Sequence, residues 1–311
     1  METEAPISHT ILLIGETGSG KTSFLNLLCN YGIVQELGID VGVQHFHPFN
    51  EIKLENATSD KMQSKTSDAL KYTVSLGDTN LEIIDTPGLG DSRGIEQDIN
   101  RLEMIIQCLK NEESIHCVCL VINGRATRIS ATLNYALSEL TSILPKSSIN
   151  NITVVFTNTT GVLNLSFELG AIKRAKDTMS KELLTKLLRD EFEKTAPTLN
   201  EFLRHVTSLD FIQTKDFMRS YEKKKAIEAE LRAVYTVTCS DEKEKIKVEL
   251  HNSIEELKTL SICSNYNTIL RNRGILITQQ LEAEDNEETI KELQTKRKEI
   301  KEQLIQIQSK H

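Results

Sequence analysis

Thr10-Ile-Leu-Leu-Ile14 followed by Gly15-Glu-Thr-Gly-Ser-Gly-Lys-Thr22 is the stretch on which the fold turns. A short apolar run leads into the spacing G-x-x-x-x-G-K-[ST], and a helix-like run from Ser23 to Cys29 follows. Backbone N–H groups wrap a polyphosphate only where no Cβ blocks the approach, which accounts for glycines at 15, 18 and 20. Lys21 supplies a point charge to the β- and γ-phosphates, and the Thr22 hydroxyl ligates Mg²⁺. The following helix aims its N-terminal dipole at the anion. The predicted contacts are therefore Gly15, Glu16, Thr17, Gly18, Ser19, Gly20, Lys21, Thr22 and Ser23, with Lys21 also acting on the reacting phosphate.

Working outward, Leu81-Glu-Ile-Ile-Asp85 reads as a second strand and ends in Thr86-Pro87-Gly88. This D-x-x-G lies 64 residues after Lys21, a workable spacing for the second half of a GTPase-type site. Asp85 would hold Mg²⁺ through water or through Thr22, and the Gly88 N–H would touch the γ-phosphate. The next residue is Leu89. A glutamine there would orient the attacking water, whereas leucine neither donates nor accepts. Slow intrinsic hydrolysis is expected unless an arginine substitutes, from Arg93 in the same segment or from Arg125 or Arg128 after the strand at 117–122. Such a residue is worth roughly 10³–10⁵ in rate.

Residues 35–70 are polar and irregular, in the place of a nucleotide-sensing first switch. The metal also needs a threonine from it. Thr66, in Ser64-Lys-Thr66 just before the strand beginning at Tyr72, is the choice, with Thr58 and Ser67 as rivals. His45 and His47 read as loop histidines rather than metal ligands. The predicted metal set is Thr22, Thr66 and Asp85. The predicted catalytic set is Lys21, Thr66, Gly88 and Arg93.

Guanine selectivity ordinarily needs an aspartate in [NT]-K-x-D after the strand at 152–157. The chain has Phe156-Thr-Asn-Thr-Thr160 there, without lysine or aspartate. Thr157 and Asn158 remain as base or loop contacts, and Thr214-Lys215-Asp216 follows the wrong strand.

Apolar runs at 10–14, 72–76, 81–84, 117–122, 152–157 and 206–212 read as strands. Helical stretches at 22–31, 97–110, 132–144 and 173–195 alternate with them, which predicts an α/β fold with a parallel sheet and crossover helices. Beyond about 216 the chain becomes helical and highly charged. Ile290, Leu293, Arg297, Ile300, Leu304 and Ile307 then form a short a/d seam, fit either to self-associate or to fold back as one amphipathic helix. The net charge of −8 argues against nucleic acid as the main partner. No apolar window reaches membrane-spanning length and no leader pattern opens the chain, so a cytoplasmic location is expected. Six scattered cysteines without a C-x-x-C pair read as reduced core thiols. Cys117 and Cys119 would share one buried face.

Together, Gly15–Leu28, the Ser64-x-Thr66 element and the block Ile84–Asp98 resemble the septin-related (paraseptin) GTPases, within them the GIMAP or immune-associated (AIG-type) group. The resemblance covers residues 8–260. It implies a P-loop, Ras-like sheet over 1–262 with a C-terminal helical or short coiled-coil extension over 263–311. It further implies GTP or GDP with Mg²⁺ as ligands, homodimers across the G domain, and slow or absent hydrolysis. The family's lysine-containing base motif is replaced by Thr157-Asn158, and its asparagine-rich turn is missing near Gln213-Thr214. Three functions follow in order: a GTP-binding switch with slow or dimer-stimulated hydrolysis, a nucleotide-locked scaffold without turnover, and an ATPase.

Overall fold

The structure is a computed structural model that describes residues 7–42, 69–76, 79–90, 95–125, 130–158, 180–237, 240–283 and 286–308. Its centre is a five-stranded sheet in the order β2-β3-β1-β5-β6. The strands are β1 (Ile7–Ile14), β2 (Leu70–Leu76), β3 (Thr79–Asp85), β5 (Cys117–Asn123) and β6 (Ile152–Thr157). β1 runs parallel to β3, with Leu13 opposite Asp85, and parallel to β5. β5 and β6 are also parallel. β2 is antiparallel to β3, so the parallel reading holds for four strands and fails for the hairpin strand. A separate two-stranded ladder joins β4 (Ser114–Ile115) to β7 (Ile212–Gln213).

The central strand explains the layering. Ile11-Leu-Leu-Ile14 is buried on both faces, as a continuous apolar run requires. Ile11 and Leu13 face one layer, made by α1 (Lys21–Leu37) and α5 (Lys181–Thr207). Leu12 and Ile14 face the other, made by α3 (Ile95–Lys110), α4 (Ala131–Ile143) and the start of α6 (Thr214–Thr236). Cys117 and Cys119 both enter the first layer, whereas Val118 enters the second. α1 ends at Gly38, whose φ of +77° suits glycine and whose N–H donates to the Val34 carbonyl. A four-residue helix, α2 (Ile39–Gly42), follows.

Three expectations need correction. The start of the 35–70 stretch, read as irregular after a helix ending at 31, is helical, since α1 runs to Leu37 and α2 covers Ile39–Gly42. The run at 206–212 is not a strand. α5 continues through Thr207, and only Ile212–Gln213 is extended. Phe192, Leu199 and Val206 recur every seven residues and are all buried in the first layer, so helical burial overrides the strand propensity of Val206 and Thr207. The helix expected over 173–195 is described from Lys181 and extends twelve residues further than its expected end.

The rest of α6, with α7 (Ser240–Leu260), α8 (Tyr266–Ala283) and α9 (Glu287–Gln308), encloses a third apolar cluster. The α9 seam points into it: Ile300 is buried, and Leu293, Leu304 and Ile307 rest against it. Gly274 of α8 faces α9 at this seam, where a Cβ would make an ordinary contact, 3.5 Å from Ile300 Cγ2. Of the two alternatives for the seam, docking within the chain is the one observed.

Candidate functional site

The phosphate-type loop lies between β1 and α1, at the C-terminal edge of the sheet. Gly18 and Gly20 adopt φ of +77° and +93°, values that disfavour a side chain. Lys21 is buried and its Nζ folds over the loop, donating to the carbonyls of Gly15 at 3.3 Å and Glu16 at 3.0 Å. Burial lowers its ammonium to about 8, against the attraction of Asp85. Burial likewise raises the Glu16 carboxyl, against the pull of Lys21 and the Ser130 hydroxyl.

The next residue meets the second motif. Thr22 Oγ1 donates to Asp85 Oδ2 at 2.7 Å, and Asp85 is buried at the end of β3. Two hard oxygens are thus set together at the head of α1, a donor set suited to Mg²⁺ that keeps several waters. The cradle suits phosphate as well. Nothing lies within 4 Å of where a Gly18 Cβ would stand, and the buried Ser19 hydroxyl has no hydrogen-bond partner among the described residues.

The segment after Asp85 is fastened to this loop. Thr86 Oγ1 donates to the Leu13 carbonyl at 2.6 Å. The Leu89 N–H donates to the Gly15 carbonyl at 3.2 Å, and the Thr17 N–H donates to the Leu89 carbonyl at 2.8 Å. Thr17 Oγ1 also reaches the Gly88 carbonyl at 3.1 Å. A Cβ on Gly88 would stand 2.5 Å from Thr17 Cα, so only glycine permits this approach. The Leu89 side chain is turned into the second layer beside Ile14, Ile84 and Leu102. It is therefore committed to the core, beyond being unable to orient water.

Two α3 side chains that sequence reasoning missed grip the same turn. Arg101 Nη1 donates to the Gly88 carbonyl at 2.7 Å, and Asp98 Oδ2 accepts from the Gly90 N–H at 3.0 Å. Both are buried. Asp98 closes the Ile84–Asp98 block, the one signal in the sequence that pointed at it; Arg101 had none.

On the other flank, Thr157 Oγ1 donates to the Ser19 carbonyl at 2.5 Å, and a Gly20 Cβ would lie 3.1 Å from the Thr157 side chain. Asn158 has a left-handed φ of 54°, and its Nδ2 donates to Asn123 Oδ1 at 3.4 Å. Arg125 Nε donates to the Asn158 carbonyl at 3.2 Å. Arg125, expected near the reacting phosphate, is thus held at the β6 end of the site and remains exposed. Thr66 with its rivals Thr58 and Ser67, Arg93, Arg128, His45 and His47 lie outside the described residues. The structure therefore gathers Gly15–Ser23, Asp85, Gly88, Thr157 and Asn158 around one edge of the sheet.

Comparison with known proteins agrees with this geometry. Residues 9–168, just over half of the chain, match the AIG1 family, and the chain belongs to that family. GTP-binding protein A of Dictyostelium discoideum is 31% identical over 153 residues, 49% of this chain and 28% of that protein. The chain thus spans little more than a quarter of that relative's length. Toc33 from Arabidopsis thaliana in complex with GDP and Mg²⁺ is 20% identical, with a TM-score of 0.34 over 61% of this chain and 67% of that one. Its complex with Mg²⁺ and GMPPNP is 16% identical, with the same TM-score over 61% and 85%.

Proposed function

We propose that this chain is a guanine-nucleotide-binding switch with slow or dimer-stimulated GTP hydrolysis. One observation carries the reading: Thr22 Oγ1 and Asp85 Oδ2 stand 2.7 Å apart at the mouth of an intact glycine loop with Lys21 folded over it. Membership of the AIG1 family supports it, as does the name of the Dictyostelium relative over the same part of the chain. A finer placement among septin-related GTPases belongs to the same proposal.

In this reading the loop N–H groups and Lys21 bind the β- and γ-phosphates, and Gly88 reports on the γ-phosphate. Thr22 and Thr66 would hold Mg²⁺ directly and Asp85 through water. The ion, when bound, neutralises charge between the two phosphates. Thr157 and Asn158 border the base, and Arg93 is the cis candidate for charge stabilisation during hydrolysis. Arg125, exposed at the rim, is the candidate for acting in trans on the site of a second copy. Leu89 leaves the attacking water without an orienting side chain, so turnover in a lone copy is slow.

The buried Leu89 also favours a second reading, a GTP-locked interaction module without turnover. An ATPase is the third, motivated by the missing base carboxylate. A homodimer and a cytoplasmic location complete the proposal. So does a division at about residue 262, with the qualification that Ile227–Leu257 and Cys263–Ile300 share one apolar cluster.

The test is the identity of nucleotide released from freshly purified protein, with ATP competition and solution mass with and without a non-hydrolysable GTP analogue. Bound guanine nucleotide and analogue-driven dimers support the switch. Dimers with no single-turnover hydrolysis favour the locked module, and absence of Mg²⁺-dependent GTP binding at micromolar concentration sinks both.

A further inference from the structure

Buried polar side chains gather at two places in an otherwise apolar interior, at the edge of the nucleotide site and between α4, α6 and α8. The first lies at the turn after β3, where Arg101 holds the Gly88 carbonyl and Asp98 holds the Gly90 N–H. Arg101 Nη1 also reaches Asp98 Oδ1 at 3.4 Å. The same turn packs on α4: a Cβ on Gly90 would stand 2.2 Å from Thr132 Cγ2, and Tyr135, fully buried, follows three residues on along that face. One turn further along the same face of α4 is Glu139, also fully buried.

Glu139 is the hub of an ion cluster. Arg273 of α8 meets it with two bonds, Nε to Oε1 at 2.5 Å and Nη2 to Oε2 at 2.9 Å. Lys224 of α6 adds a third contact at 2.9 Å. Glu228 of α6 closes the set, 2.9 Å from Arg273 and 3.6 Å from Lys224. Burial alone would raise the Glu139 carboxyl, but the Arg273 and Lys224 cations hold it at about 2. A bundle of three helices packed by leucine and isoleucine alone would be at least as stable, since buried ion pairs seldom repay their desolvation. What such a cluster adds is intolerance: α4, α6 and α8 fit together in one arrangement or leave a charge without its partner.

We propose that α4 joins these two places as a coupling device, in which the seating of the 88–90 turn on the phosphate loop and the seating of α8 on α4 are set together. Movement of the 88–90 turn pulls on Arg101 and Asp98 and shifts the Gly90–Thr132 contact, and α4 carries that displacement to the Glu139–Arg273 pair. Coupling of this kind is reciprocal, so a change at Arg273 is felt at the turn. The link to nucleotide rests on the function proposed above. The link between the two ends does not.

The experiment is hydrogen exchange on the nucleotide-free full chain, comparing wild type with Glu139→Gln/Arg273→Met, which removes one charge of each sign and leaves Lys224 with Glu228. Exchange of the 88–90 amides is expected to accelerate about fivefold or more together with α8, while β5 is unchanged. Acceleration confined to α4, α6 and α8 overturns the proposal, and so does equal acceleration of β5, which marks general loosening. Should the double variant not fold, Arg273→Lys keeps the charge but loses the fork, and a smaller change of the same sign is expected at both ends. Lys258→Ala, which breaks the exposed pair with Glu255, is expected to move neither end. With nucleotide, the ratio of GTP-analogue to GDP affinity is expected to shift about fivefold or more in the double variant. An unchanged ratio removes the link to nucleotide, whereas a wild-type chain that binds neither nucleotide refutes the proposed function and leaves the exchange data to decide the coupling.

Discussion

The backbone N–H of Thr17 donates to the carbonyl of Leu89 at 2.8 Å, joining the phosphate loop to the segment that follows β3. Pairing between these two regions therefore continues past the end of β1, with Glu16 opposite Leu89. The contact brings Gly88 against Thr17 and sends the Leu89 side chain into the core.

Leu89→Gln tests what that burial costs. A glutamine in the same pose would bury an amide beside Ile14, Ile84 and Leu102, a loss of about 1–3 kcal/mol. The expected outcome is a lower melting temperature and no gain in single-turnover hydrolysis. A faster reaction at unchanged stability would mean that the side chain turns outward, and that Leu89 alone limits the rate.

Gly88→Ala places a methyl 2.5 Å from Thr17 Cα. The loop and the turn must separate, and the expected cost is about 1–3 kcal/mol, with weakened nucleotide binding. Chemical denaturation and nucleotide titration check both. A variant with unaltered stability would show that the close approach is not kept in solution.

Lys21→Met separates binding from stability. The ammonium is buried, and its two acceptors keep other donors: Leu89 N–H on the Gly15 carbonyl and Ser19 N–H on the Glu16 carbonyl. The nucleotide-free variant is expected to melt at or above the wild-type temperature while nucleotide affinity collapses by about 100-fold or more, since the lysine serves the phosphates. A markedly less stable variant would refute the idea that a buried charge is tolerated there for binding.

His116 predicts a pH dependence. Its Nδ1 accepts from the Thr10 N–H at 3.0 Å, and its ring centroid lies 4.8 Å from that of His9. Burial, with the neighbouring His9, lowers its pKa below 6.5. A depressed folded-state value means that its contribution is complete above 6.5 and is lost as pH falls through the folded-state value. Melting temperatures measured from pH 7.5 downward are expected to fall for wild type below that point, and less steeply for His116→Asn, which does not titrate. Parallel profiles would remove His116 as the cause.

Much of the site was legible because its chemistry is local in sequence. The loop Gly15–Thr22 states its own geometry, and Asp85 with Gly88 states the second half. The helix boundaries near Lys21, Ile95 and Ala131 follow from apolar periodicity. What stayed hidden depends on distance along the chain. Arg101 looks like any surface arginine until Gly88 is placed beside it. Glu139 and Arg273 lie 134 residues apart and carry no mark of each other. Val206 and Thr207 read as strand because β-branched residues favour it, and only the partner face of α5 shows why the helix wins. The a/d seam of α9 marked the face that turns inward, with Ile300 at its buried centre, without saying against what it packs.

That last point bears on how copies of this chain can meet. Ile300, Leu304 and Ile307 already rest against the apolar cluster, with α8 as the helix alongside. Another molecule offering the same helix would in the main trade one set of contacts for a like set, since Ile300 is already buried. Association by that route is an exchange reaction, decided by protein concentration and by the ease of letting go, in the manner of a domain swap. A dimer that forms at low concentration must then be held together elsewhere on the molecule.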